Sequence, residues 1–174
     1  MKRIAITLMA TFLLAPSSAF SQTRSRSSKP KPPTAAQQAQ RASQVRMQGA
    51  TRVAEQVKNL AKFTYLLGGI NSSIAAVDEA AKKNEVSQAG VQQNQQTKAT
   101  VKNSFRGFRE GLDRLEIDFR NTPELQPYYI KLAGVAAGAA TAEEHANANQ
   151  FDAAGRTLLN VINRLADVLV IMRQ

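Results

Sequence analysis

The stretch FDAAGRTLLNVINRLADVLVIMRQ, residues 151–174, decides the fold. Its large apolar residues recur at separations of four, three, four and three residues, which places them along one side of an α-helix. A helix with such a stripe buries it against other helices, so the rest of the chain must supply them. The stripe consists of Leu158, Ile162, Leu165, Leu169 and Met172, and Val161 and Val168 widen it.

The first 21 residues have the pattern of a cleavable signal peptide. Lys2 and Arg3 are basic, residues 4–15 are mostly apolar, and small residues follow up to Ser21. The apolar run is shorter than the roughly 20 residues that a membrane-spanning helix needs. We therefore expect cleavage near Ser21, export to the periplasm or the cell exterior, and no transmembrane span in the mature form. The chain has no cysteine, which excludes disulfides and thiolate ligands.

Residues 22–34 (QTRSRSSKPKPPT) contain serine, proline and basic residues and no large apolar side chain. This composition predicts a disordered linker. Two interpretations stay open for it: a solvated spacer, or an electrostatic tether to an anionic surface such as envelope lipid or polymer. The absence of aromatic residues here gives no support for nucleic-acid binding. The candidate tether residues are Arg24, Arg26, Lys29 and Lys31.

Residues 35–174 are predicted to form one helical bundle domain. A first helix is expected from about residue 35 to residue 67, with Thr34 as its N-cap and Gly68-Gly69 as its stop. A second helix would then start after Asn71 or Ser72. Its path is ambiguous between residues 84 and 98, and we prefer a break between about 84 and 91 with Gly90 as a candidate.

A strong helical pattern resumes at residues 101–119, and Asn121-Thr122-Pro123 marks its stop and the start of the next helix, with Pro123 in the first turn. Another helix is expected to follow as far as Ala146, with Pro127 as an alternative first-turn residue. No sustained alternation of apolar and polar residues predicts a strand. The sequence therefore predicts an all-α fold, an up-down bundle of four to five helices.

The chain offers little that favours catalysis or metal binding. His145 is the only histidine, and it follows Glu143 and Glu144 directly. Three consecutive helical residues point about 100° apart, so these side chains do not converge on one metal ion. The haem attachment motif and the common nucleophile and phosphate-binding motifs are absent. We therefore predict no metal, no cofactor and no enzymatic activity.

Charged residues are densest between Arg106 and Arg120, where opposite charges recur four residues apart. This spacing is typical of a solvated helix face. Gly134 and Gly138 mark a different kind of surface, because small residues at this spacing let another helix approach closely. We expect them to form a helix-contact face with the C-terminal helix, or a homodimer surface if that face is exposed.

These patterns favour an exported, non-catalytic protein that binds a protein or a cell-envelope component. A carrier with a small-ligand cavity between helices is the alternative from another class. An enzyme is the third and least favoured hypothesis.

Overall fold

The computed structural model describes residues 34–173. These residues form helices joined by short turns, and no strand occurs among them. The predicted all-α, up-down bundle of four to five helices is confirmed. The predicted signal peptide and nearly all of the predicted linker, residues 1–33, lie outside the described residues. The helices are α1 (Ala35–Lys82), α2 (Gln88–Asn121), α3 (Gln126–Leu132), α4 (Val135–Asn147) and α5 (Phe151–Met172).

Helix α1 begins where the sequence predicts. The Thr34 hydroxyl accepts from the backbone N–H of Gln37, and the Gln37 side chain accepts in return from the backbone N–H of Thr34. This capping box satisfies donors that the first turn of a helix leaves without a partner.

The predicted stop of this helix at Gly68-Gly69 is wrong, because α1 continues to Lys82. Leu60, Leu67 and Ile74 recur every seven residues and are all buried, so packing on both sides of the glycines holds the helix together. Asn71 and Ser72 therefore lie inside α1 and cap no new helix.

The chain reverses at residues 83–87, near the start of the predicted interval for the break. Asn84 adopts the left-handed conformation with φ of 58°, and Ser87 caps α2 by accepting from the N–H of Gly90. Gly90 itself lies in the first turn of α2 and does not break a helix.

The single helix predicted up to Ala146 is divided into α3 and α4 by Gly134. Its φ of 91° lies in the left-handed region, which favours glycine because it has no Cβ. The predicted restart at Pro123 is wrong, because α3 begins at Gln126 with Pro127 in its first turn, as the alternative start predicted.

The four long helices are arranged as a closed square in the order α1, α2, α4, α5. Each helix runs antiparallel to both of its neighbours, because residues early in one helix meet residues late in the next. The pairs that define these directions are Arg52–Asp118 and Asp78–Lys98 for α1 and α2, Arg109–Glu143 and Glu116–Ala136 for α2 and α4, Gly138–Val161 for α4 and α5, and Gly155–Leu67 and Gly49–Met172 for α5 and α1.

The predicted stripe of α5 is buried only in part, because the centre of the buried face is shifted toward Val161 and Val168. Leu158, Val161, Leu165 and Val168 are fully buried, whereas Ile162, Leu169 and Met172 are only partly buried. The shift follows from the position of α5 between two helices, α4 on one side and α1 on the other. A helix in that position buries a wider face than a two-stranded seam requires.

Candidate functional site

The end of α1 and the start of α2 extend beyond the other helices as a two-helix hairpin. Asn71 lies level with the start of α5, because its Nδ2 donates to Oδ1 of Asp152 at 2.8 Å. Residues 72–82 of α1 therefore continue about 16 Å past the start of α5, at a rise of about 1.5 Å per residue. Helix α2 returns beside them from Gln88. We call residues 72–98 the hairpin.

An open groove with a volume of about 650 Å³ lies between α1 and α2 along the hairpin and at its base. We call it the hairpin groove. Leu66 is at the base of this groove with 49 % of its surface exposed. The apolar part of the lining comprises Leu66, Ile70, Ile74 and Val77 of α1, and the polar part includes Gln93 and Asn94 of α2.

Two adjacent glycines of α1 differ in their relation to this groove. A Cβ placed on Gly68 or on Gly69 would have no neighbour within 4 Å, so packing does not require glycine at either position. Glycine inside a helix costs up to about 1 kcal/mol relative to alanine. Only Gly69 lines the hairpin groove, and the missing side chain leaves space there.

A polar cluster joins the two helices of the hairpin. Asn94 is 7 % exposed, and its Nδ2 donates to Oδ1 of Asp78 at 2.8 Å and to the backbone oxygen of Ile74 at 3.4 Å. The Lys98 ammonium donates to the same Asp78 oxygen at 2.7 Å. Because buried polar groups are costly without partners, these bonds favour one register of α2 on α1.

A second groove, of about 460 Å³, lies at the opposite end of the bundle between α1 and the last turns of α5. We call it the end groove. Met47, Ala50 and Ala54 line it from α1, and Leu169 and Val170 line it from α5.

The two glycines predicted as a helix-contact face have different surroundings. A Cβ on Gly138 would lie 2.8 Å from Cγ2 of Val161, so Gly138 allows the close approach of α4 and α5. Gly134 precedes α4 in the turn after α3, where a guanidinium nitrogen of Arg164 lies 3.2 Å from the position of a Cβ. Both glycines therefore lie next to α5 of the same chain, Gly138 beside Val161 and Gly134 beside Arg164.

The charged residues between Arg106 and Arg120 contact neighbouring helices as well as solvent. Nε of Arg109 donates to Oε2 of Glu143 on α4 at 2.6 Å, and this hydrogen bond raises the pKa of Arg109 above its usual value. Glu143 is 13 % exposed at its side chain and also accepts from Arg106 at 3.4 Å. Of the pairs four residues apart, Arg109–Asp113 forms an ion pair, at 3.1 Å.

Glu116 makes a contact that sequence reasoning did not identify. Its Oε1 accepts from the backbone N–H of Ala136 at 2.8 Å, in the first turn of α4. A carboxylate at this position satisfies a donor that the helix leaves open and complements the positive end of its dipole. Helix α2 thus caps the start of α4.

His145 lies in the last turn of α4, where its Nδ1 is 3.0 Å from Oε1 of Gln150. Within residues 34–173, no group of three or more histidine and carboxylate side chains is placed to hold a metal ion. None of the helices in this part of the chain combines the length and hydrophobicity needed to cross a membrane. The candidate tether residues Arg24, Arg26, Lys29 and Lys31 lie outside the described residues.

No protein-family model, curated protein or solved structure significantly matches this chain. Function is therefore inferred from the two grooves and from the charges around them. Sequence reasoning missed both grooves. The signals that bear on them are the exposed glycine pair in a continuous helix and the run of residues 35–54, which contains no acidic side chain.

Proposed function

We propose that this chain is an exported, non-catalytic helical-bundle protein that binds another protein of the cell envelope through the hairpin groove. The observation that carries the proposal is an apolar groove, open to solvent, on a hairpin that α4 and α5 do not cover. Covering Leu66 and the neighbouring apolar lining removes their surface from water, which favours association. A groove between two helices suits an apolar ridge on a partner helix.

The chemistry of the groove also favours recognition over catalysis. Among the described residues that line it, the polar groups are the hydroxyls of Ser73 and Thr97 and the amides of Gln93 and Asn94. Hydroxyls and amides position a partner by hydrogen bonding. Acid–base catalysis would instead draw on groups that titrate near neutral pH.

Site-specific photo-crosslinking in the native envelope tests this proposal. A photoreactive residue at Gln93 lies in the hairpin groove, whereas one at the exposed Gln96 lies outside the groove lining. We expect a discrete protein adduct from position 93 and not from position 96. The adduct should disappear in Gly69→Leu, whose side chain projects into the groove, and persist in the matched control Gly68→Leu.

The same adduct from both positions, or an adduct that Gly69→Leu leaves unchanged, would contradict the proposal. Circular dichroism checks that both leucine variants remain helical. We expect that they do, because both side chains enter open space.

A small-ligand carrier is the second candidate, favoured by the size of the same groove. Its volume of about 650 Å³ lies within the range of about 300–1,000 Å³ typical of small-molecule sites. Native mass spectrometry of protein purified from its own compartment separates the two candidates. A bound mass that Gly69→Leu removes and Gly68→Leu retains would favour the carrier, and an apo mass would favour the protein partner.

Export and tethering belong to the proposal as well. Cell fractionation should find the protein outside the cytoplasm, with an N-terminus at Gln22 after cleavage near Ser21. If residues 22–33 tether the protein, deleting them should weaken its retention on anionic envelope material at low salt, because such contacts are screened by ions. Unchanged retention would remove the tether from the proposal.

A further inference from the structure

The end groove lies beside the last turns of α5, at the end of the bundle where α1 extends beyond α5. Cε of Met172, in the last turn of α5, lies 3.3 Å from the position of a Cβ on Gly49. Residues 35–48 of α1 therefore continue past the end of α5 for about 21 Å, at about 1.5 Å per residue. Further along α1, α5 packs against its side. Beside residues 35–48, no helix of the described residues takes that position.

The surface of the end groove is apolar and exposed. Met47 is 67 % exposed and Val170 is 60 % exposed, and both line the groove. Methionine adapts its shape to different partners, so it is common on surfaces that bind helices. Exposed apolar side chains that adjoin one groove mark an interaction surface more strongly than isolated ones.

The α1 side of this end has the spacing of a helix-packing seam. Ser43, Met47, Ala50 and Ala54 follow one another at four, three and four residues, and all four adjoin the grooves at this end of the bundle. The small residues among them allow a helix to approach closely, and the Met47 side chain can insert between side chains of that helix. This pattern favours a helix as the occupant over a flat lipid surface.

The charged residues that line the end groove and the adjoining pocket beside Met172 are both arginines, Arg46 and Arg173. Residues 35–54 contain three arginines and no acidic residue, and Arg173 is the only charged residue among residues 168–173. Arg52 is paired with Asp118 at 2.7 Å, whereas Arg46 and Arg173 adjoin the apolar surface of Met47. A second copy of the chain would bring the same positive charges together, so the complement is an acidic partner.

We propose that the end groove binds an acidic amphipathic helix of a partner protein. The helix lies in the end groove between α1 and the last turns of α5 and continues along the overhang of α1. Its apolar side covers Met47 and Val170, and its carboxylates pair with Arg46 and Arg173. This site is independent of the hairpin groove and of the partner proposed for it.

Peptide binding to the mature chain, residues 22–174, tests the proposal. The probe is a fluorescent 21-residue helical peptide with leucine on one face and glutamate on the other. A peptide of the same composition in scrambled order and a peptide with lysine for each glutamate are the controls. We expect the acidic amphipathic peptide to bind at least tenfold more tightly than either control, with an affinity that falls as salt rises.

Charge reversal locates the site. The double variant R46E/R173E should bind the acidic peptide at least tenfold more weakly and gain affinity for the lysine peptide. The matched variant R114E/R156E reverses two exposed arginines outside this groove and should change neither affinity by more than about twofold. Gly69→Leu, whose side chain projects into the hairpin groove, should leave peptide binding unchanged.

Equal losses in the two double variants would overturn the proposal, because binding would then follow net charge alone. Binding to vesicles of anionic phospholipid that R46E/R173E weakens, without binding of the acidic peptide, would also overturn it and assign the end groove to a membrane surface. Thermal unfolding of each variant checks that the fold persists.

Discussion

The four-helix part of the bundle and the hairpin share α1 and α2 but differ in how many helices cover them. In the four-helix part, α4 and α5 close the square, and Phe105 and Leu112 of α2 are fully buried. In the hairpin, α1 and α2 have only each other, and an open groove lies between them. The comparison indicates that the second layer of helices, rather than the sequence pattern of α1, decides which apolar residues are hidden from water.

Glycine shows the same difference on a smaller scale. Gly138 lies where two helices touch, and a methyl group there would collide with Val161. Gly68 and Gly69 lie where α1 faces open space. One residue type therefore supports close packing in the four-helix part and leaves space beside the hairpin.

The largest expected effect is loss of an aromatic side chain from the four-helix part. Phe105 is buried, and its ring packs edge-on against Phe63 with centroids 5.2 Å apart. Phe105→Ala should lower the free energy of unfolding by about 3–5 kcal/mol. Leu66→Ala, in the hairpin groove, should change it by less than about 1 kcal/mol, since exposed positions tolerate substitution. Urea unfolding followed by circular dichroism compares the two, and equal losses would erase the distinction between the regions.

Gly138→Ala tests close packing between α4 and α5. The new Cβ would lie 2.8 Å from a methyl group of Val161, which has little freedom to move. We expect a loss of about 1–3 kcal/mol in the free energy of unfolding. Gly107→Ala is the matched control on α2, because a Cβ there has no neighbour within 4 Å. Gly107→Ala should be at least as stable as the wild type, and an equal stability of Gly138→Ala would mean that α4 and α5 pack less closely than described.

Glu116→Ala removes the cap that α2 provides for α4. The backbone N–H of Ala136 loses its acceptor, so the variant should be less stable by about 0.5–2 kcal/mol. Hydrogen exchange measured by NMR should show faster exchange at the Ala136 amide. Glu110→Ala, at an exposed position of the same helix, should leave that amide protected, and faster exchange in both variants would refute the specific cap.

The smallest expected effect is a gain. Gly68→Ala and Gly69→Ala should each raise the free energy of unfolding by about 0.4–1 kcal/mol, because alanine restricts the unfolded chain and fits the helix without contact. Differential scanning calorimetry measures the gain as a higher Tm for each variant and for the pair. A lower Tm in either variant would mean that α1 needs flexibility at these positions.

The helical class and the last helix follow from the sequence because their signals are local. The spacing of Leu158 and Leu165 predicts a buried face, and Thr34 and Pro127 mark helix starts by their own chemistry. The continuation of α1 through Gly68 and Gly69 was not predictable in this way. It depends on Leu67 and Ile74 being buried against other helices, which is a tertiary effect that overrides local propensity.

The candidate sites were less accessible to sequence reasoning. The hairpin groove depends on α5 starting level with Asn71, and the end groove depends on the last turns of α5 lying level with residues 47–54 of α1. Both levels are set by the lengths of separate helices and turns, which no single stretch encodes. The helix-contact role of Gly138 was easier to predict from the sequence, because small residues four apart carry a local signal.

Helix α1 lines both grooves without a break, with Met47 at the end groove and Ser73 at the hairpin groove. At about 1.5 Å and 100° per residue, these positions are about 39 Å apart and differ by about 80° around the helix axis. Two partners held at these places would therefore keep a fixed spacing and mutual orientation. Each residue inserted into α1 between them would lengthen that spacing by one helical rise and rotate one partner relative to the other, which makes this helix a molecular ruler.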